Sequence, residues 1–169
     1  MTEKSNSWLE FIPATVASLF LISQIIIGFY VLADISQIEL LAYIGVGIYF
    51  FSGLIFGMLP VFEFRKKGGV RKGDSYIHTT KLVDSGMYSI VRHPQYVTFI
   101  LWGIAGMLLF QHWLVICLGF PIIPLIYIDL LKADRDGITK FGDEYIQYMK
   151  KVPRANFLLG IIRLFMSKR

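Results

Sequence analysis

Four long apolar runs decide what this chain can fold into. Residues 11–33, 40–62 and 96–110 contain no charged side chain, and Asp129 is the one charge within residues 113–131. At about 1.5 Å rise per residue, roughly 20 helical residues cross a hydrocarbon core of about 30 Å. Composition points the same way. Hydrophobic residues make up 55% of the chain and charged ones 17%, where a soluble domain carries about 25% charge. The expected fold is all-α: a polytopic integral membrane protein with about four transmembrane helices, a cytoplasmic loop and amphipathic C-terminal helices. No Pro/Gly/Ser-rich linker divides it, so residues 1–169 read as a single membrane domain.

Charge sets the expected orientation. Lys4 is N-terminal, and every other Lys or Arg lies in residues 65–92 or 132–169. The links at residues 34–39 and 111–112 carry none. Both termini and the central loop are therefore expected in the cytoplasm. The net charge of +5 comes from basic residues flanking apolar segments. Membrane lipids, not nucleic acid, are the partner that such flanks imply. Lone Cys117 excludes an intrachain disulfide and a cysteine-based metal motif, and no metal site is expected. The apolar stretch after residues 1–7 is too long for a signal-peptide core, so no cleavable leader is expected.

Within the spans, Gly53 and Gly57 form a small-xxx-small pair suited to close helix approach. Pro121 and Pro124 should kink the fourth run. Residues 63–95 are polar, basic and glycine-rich without a helical period, yet Leu82, Val83, Met87 and Tyr88 give them something to bury. Residues 134–151 read as one or two surface helices, and residues 157–165 as a short interfacial helix.

Three stretches carry more polarity than an anchor needs: TTKLVDSGMY (residues 79–88), VRHPQY (91–96) and FGDEYIQYMKKVPR (141–154). In the second, Pro94 opens the third span and biases His93 toward an extended backbone, aiming its ring along the interface. The alternative is that Arg92 anchors to lipid phosphate and Tyr96 joins an aromatic belt. In the third, Asp143, Glu144, Lys150 and Lys151 suit a helix dipole, and Tyr145 and Tyr148 can sit at the headgroups. Asp129, an ionisable residue ending an apolar run, is a functional candidate by default.

Taken together, in order and spacing, the three stretches resemble the isoprenylcysteine carboxyl methyltransferase family, whose wider group includes phospholipid N-methyltransferases. The likeness covers about residues 73–154, and the first two spans match in hydrophobicity alone. It implies S-adenosyl-L-methionine as cofactor, bound at the cytoplasmic face. By position, the cofactor-binding residues would be Thr80, Lys81, Leu82, Val83 and Tyr88, with His93, Pro94, Gln95 and Tyr96. Apolar and aromatic walls suit an adenine, and His93 would be a donor to the methionine carboxylate.

The chain departs from the family pattern at one place. The usual arginine and first acid of a paired-acid motif fall on Asp129 and Ala133, and the second acid on Asp134. Catalytic work is therefore expected at Asp134, near the sulfonium or ribose, with Asp129 beside it, and Lys132 and Arg135 are the nearest cations in sequence. The implied function is a methyltransferase acting on a lipid-like or prenylated acceptor, with carboxyl O-methylation favoured. Two alternatives stay open: a phospholipid or small-lipid N-methyltransferase, and a non-enzymatic membrane protein that keeps the fold.

Overall fold

The structure, a computed structural model, describes residues 12–31, 38–69 and 79–166. Lys4, the link around Ser36 and the loop around Gly73 lie outside the described residues. Helices α1 (Ile12–Val31), α2 (Glu39–Ser52) and α3 (Leu59–Lys67) come first, a π-helical segment, Gly53–Met58, joining α2 to α3. A 3₁₀ turn (Gly86–Ser89) follows, then α4 (Pro94–Phe110), α5 (Trp113–Gly119), α6 (Ile122–Phe141), α7 (Asp143–Lys151) and α8 (Phe157–Met166). Among the described residues there is no strand.

Three of these stretches are long and apolar enough to cross a membrane: Ile12–Val31, Glu39–Lys67 and Trp113–Phe141. The fourth apolar helix, α4, has 17 residues, at the short end of the roughly 17–25 that span a bilayer. Only 22% of the α1 span is buried, and Ile22, Ile26 and Phe29 are exposed. A helix apolar on all sides and so little covered is solvated by lipid, not water. The chain is a membrane protein.

Several boundaries differ from the sequence reading. Residues 63–67, expected in the loop, continue the second helix to Lys67. Pro60 cannot donate to the preceding turn, and the π-helical segment absorbs the break: Leu59 N–H reaches back to the Leu54 carbonyl. Arg65, Lys66 and Lys67 then occupy the last turn, where the helix dipole favours cations. The close approach in this helix is at Gly45, where a Cβ would lie 2.8 Å from the Ala105 carbonyl oxygen and Leu109 nitrogen. A Cβ on Gly57 would meet Thr98 at an ordinary 3.7 Å. The fourth run breaks at Pro121 alone, because Pro124 falls in the first turn of α6, where a missing N–H costs little. Residues 134–141, expected on a separate surface helix, belong to α6, which ends where Gly142 (φ 57°) turns the chain into α7.

Contacts divide the chain into two compact units: Met1–Phe50 with Phe99–Leu131, and Phe51–Thr98 with Lys132–Arg169. In the first, Gln24 of α1 is 1% exposed and its amide donates to the carbonyls of Gly103 (3.0 Å) and Val115 (3.2 Å). One side chain thus ties α1 to α4 and α5. Gln111 fastens the α4–α5 link to the start of α2, its amide exchanging two 3.0 Å bonds with the Ile38 backbone. Replacing Gln24 with Leu removes both of its bonds from a lipid-solvated bundle and should cost about 0.6–1.7 kcal/mol. Detergent-induced unfolding of Gln24→Leu checks this, and unchanged stability would contradict the clip.

Candidate functional site

The second unit is built around the loop that follows α3. The Glu63 carboxylate accepts from Met87 N–H (2.8 Å), and Lys67 donates to Ser85 Oγ (3.0 Å). Gly86 sits at φ 64°, and a Cβ there would collide with the Glu63 carboxylate. Only glycine serves at that point. The Gly68 carbonyl accepts from both Thr80 and Lys81 N–H (2.7 and 3.1 Å), laying residues 80–81 against the end of α3. Tyr88 is thereby fixed: its ring stacks on Phe64 with centroids 4.4 Å apart, and its carbonyl accepts from the Tyr148 hydroxyl at 2.6 Å.

The RHP stretch is clamped from the C-terminal side. Arg92 and His93 N–H donate to the carbonyls of Pro153 and Arg154 (3.0 and 3.2 Å), and Pro94 opens α4. Arg92 is only 7% exposed, so it is no headgroup anchor. Its Nη2 donates to Asp134 Oδ2 at 3.1 Å.

Asp134 is the hub. Oδ2 also accepts from Arg154 Nε (2.6 Å), while Oδ1 meets His93 Nε2 (2.7 Å) and the Tyr145 hydroxyl (3.0 Å). Four donors converge on a buried carboxylate, an arrangement that favours its ionised form. An ionised carboxylate can only accept, so His93 Nε2 carries a hydrogen and Nδ1 is the ring nitrogen left over. Burial and the neighbouring Asp134 push the Tyr145 phenol up, and burial does the same for Tyr148, so both stay neutral.

Two cavities of about 240 and 150 Å³ adjoin this hub and share Phe64, Thr79, Tyr88, Arg92, His93 and Ala133. The larger adds Pro94, Gln95 and Tyr96, and the smaller adds Lys81, Leu82, Val83 and Tyr145. Of the nine expected cofactor residues, Thr80 alone lines neither, since its hydroxyl donates to the Gly69 carbonyl. Asp134 lines neither cavity; its oxygens are engaged behind the wall. Asp129 is buried in the first unit and is not among the partners of Asp134.

Sequence reasoning gives no cofactor-site role to Arg92, Tyr145 or Arg154, although all three lie in the polar stretches it singles out. The cations bonded to Asp134 are Arg92 and Arg154 rather than Lys132 or Arg135. Tyr145 and Tyr148 are buried, not spread at headgroups. The guanidinium of Arg92 has one more property. Its Nε and Nη1 are buried without a hydrogen-bond partner, although buried polar groups are almost always satisfied. A cation with unspent donors in the wall of a cavity is a binding group for an anion.

A profile of the isoprenylcysteine carboxyl methyltransferase (ICMT) family matches residues 75–135, which hold most of these walls and Asp134. The central region is ICMT-like. A protein-S-isoprenylcysteine O-methyltransferase of Schizosaccharomyces pombe (strain 972) is 30% identical over 98 residues, covering 53% of this chain and 42% of the relative. One from Xenopus laevis is 27% identical over 168 residues, 92% of this chain and 50% of the relative. The chain thus spans about half the length of the curated relatives it matches, and the Xenopus alignment reaches well beyond residues 73–154. No solved structure is a significant match.

Proposed function

We propose that the chain is an S-adenosyl-L-methionine-dependent methyltransferase that works at the cytoplasmic membrane face on the carboxylate of a lipid-like or prenylated acceptor. The observation that carries this reading is Arg92, a buried cation whose Nε and Nη1 have no hydrogen-bond partner and whose side chain lines both cavities, beside aromatic and apolar walls and a few polar groups. The residues fit the cofactor. Phe64, Tyr88, Leu82 and Val83 offer surfaces for the adenine, and Arg92 replaces His93 as the donor to the methionine carboxylate. His93 Nδ1, Gln95 and Tyr96 complete the polar rim. The two cavities together fall near the lower end of the volumes usual for ligand sites, about 300–1,000 Å³.

When bound, the cofactor supplies an activated methyl group on a sulfonium. The protein's share is positioning and electrostatics, because in-line transfer needs alignment more than covalent help. Asp134 acts behind the wall: its single charge is shared between Arg92 and Arg154, and it fixes the hydrogen of His93 on Nε2. Asp134 is thus a positioning residue in this reading, and Asp129 is given no role at the cofactor. The acceptor would reach the site sideways from the bilayer while the cofactor enters from water.

Two experiments test the reading. Methyl-labelled cofactor added with the purified chain to a total membrane extract should place label in base-labile carboxyl esters. Label confined to base-stable amines would shift the acceptor to a phospholipid amine, and no transfer would contradict an enzyme. The placement also requires both termini and the loop near Gly69 in the cytoplasm, as the distribution of Lys and Arg implies. A topology reporter fused at Gly69 should then report the inside and one after His112 the outside; an outside signal at Gly69 would refute the orientation.

A further inference from the structure

A further cavity of the second unit lies beside the two proposed for the cofactor. It measures about 660 Å³ and is edged by Asp84, Glu144, Lys151 and Arg163, with Leu82 and Tyr148 as the wall it shares with the smaller cofactor cavity. Two acids and two bases face one space. Among the described residues none of the four belongs to an ion pair. Arg163 donates one bond, from Nη2 to the Ser89 carbonyl (2.9 Å), and its Nε is buried without a partner.

Charges of both signs held apart around a cavity are complementary to a ligand carrying both signs. An unspent guanidinium nitrogen suits a phosphate oxygen, and carboxylates suit an ammonium group. The supporting helix identifies what carries that ligand. Arg163 lies on α8, whose Leu158, Leu159, Ile162, Phe165 and Met166 are exposed apolar side chains. Such a helix lies in the bilayer interface at headgroup depth. We infer that this cavity binds the headgroup of a zwitterionic phospholipid, phosphate toward Arg163 and Lys151, ammonium toward Asp84 and Glu144, with acyl chains running along α8. The site is separate from the cofactor cavities, and its test does not depend on methyl transfer.

Native mass spectrometry of the delipidated full chain in non-ionic detergent, titrated with defined lipids, decides the matter. Dioleoylphosphatidylethanolamine should bind about tenfold more tightly than dioleoylphosphatidylglycerol, which lacks the ammonium, and dioleoylglycerol should not bind above background. Glu144→Gln should lower phosphatidylethanolamine affinity about tenfold and leave phosphatidylglycerol unchanged, whereas Lys151→Met should weaken both. Both side chains are exposed, so these variants keep the fold; Arg163→Met is a third variant, read only if its melting temperature is retained. Equal binding of all three lipids, or indifference to Glu144→Gln and Lys151→Met, would overturn the inference. Soluble glycerophosphoethanolamine binding as tightly as the lipid would overturn the membrane source and assign the cavity to a free phosphodiester.

Discussion

Asp134→Ala is expected to destabilise the chain by about 3–5 kcal/mol, the usual cost of removing one partner of a buried ion pair. The carboxylate is 3% exposed and holds two arginines, a histidine and a tyrosine drawn from three separate stretches of sequence. Without it Arg92 is a buried charge with nothing to balance it. Asp134→Asn keeps the shape and loses the charge, so it should fall between the two. Equilibrium unfolding in micelles at pH 7 checks both variants. Equal stability of Asp134→Ala and wild type at pH 7 would remove the hub from the account.

Arg92→Met should weaken S-adenosyl-L-methionine binding by about 10- to 150-fold, corresponding to 1.5–3 kcal/mol for a lost charge-assisted bond. The variant also loses one bond to Asp134, so stability alone cannot identify the role. Arg154→Met supplies the control. It removes a shorter bond to the same carboxylate, 2.6 Å against 3.1 Å, but Arg154 lines neither of the two cavities walled by Arg92. Equilibrium dialysis with labelled cofactor should find affinity lost in the first variant and largely kept in the second, even where both unfold more easily. Equal losses in the two would reduce Arg92 to a structural residue.

These residues mark where the sequence could be read and where it could not. Uninterrupted apolar runs report lipid directly, because each residue's environment is set by its own helix, and the three long apolar helices are legible for that reason. Pro94 as a helix start was equally local. Arg92 was not: beside a span, an arginine reads as a headgroup anchor, and its burial follows from an aspartate 42 positions away. Tyr145 and Tyr148, three apart, gave a helix-surface pattern that said nothing about which partner would cover them. Residues 63–67 lacked hydrophobic period because a cationic last turn needs none. Asp134 falls on a family motif position, and its four partners are visible only in the fold. In the proposed reading a carboxylate with both oxygens engaged positions others.

The account rests on the Arg92-walled cavities holding the cofactor, and titration calorimetry of the purified full chain with S-adenosyl-L-methionine tests that most directly. A single saturable site, lost or strongly weakened in Arg92→Met, is the predicted result. No heat of binding in a protein that is folded and keeps its cooperative unfolding would contradict it.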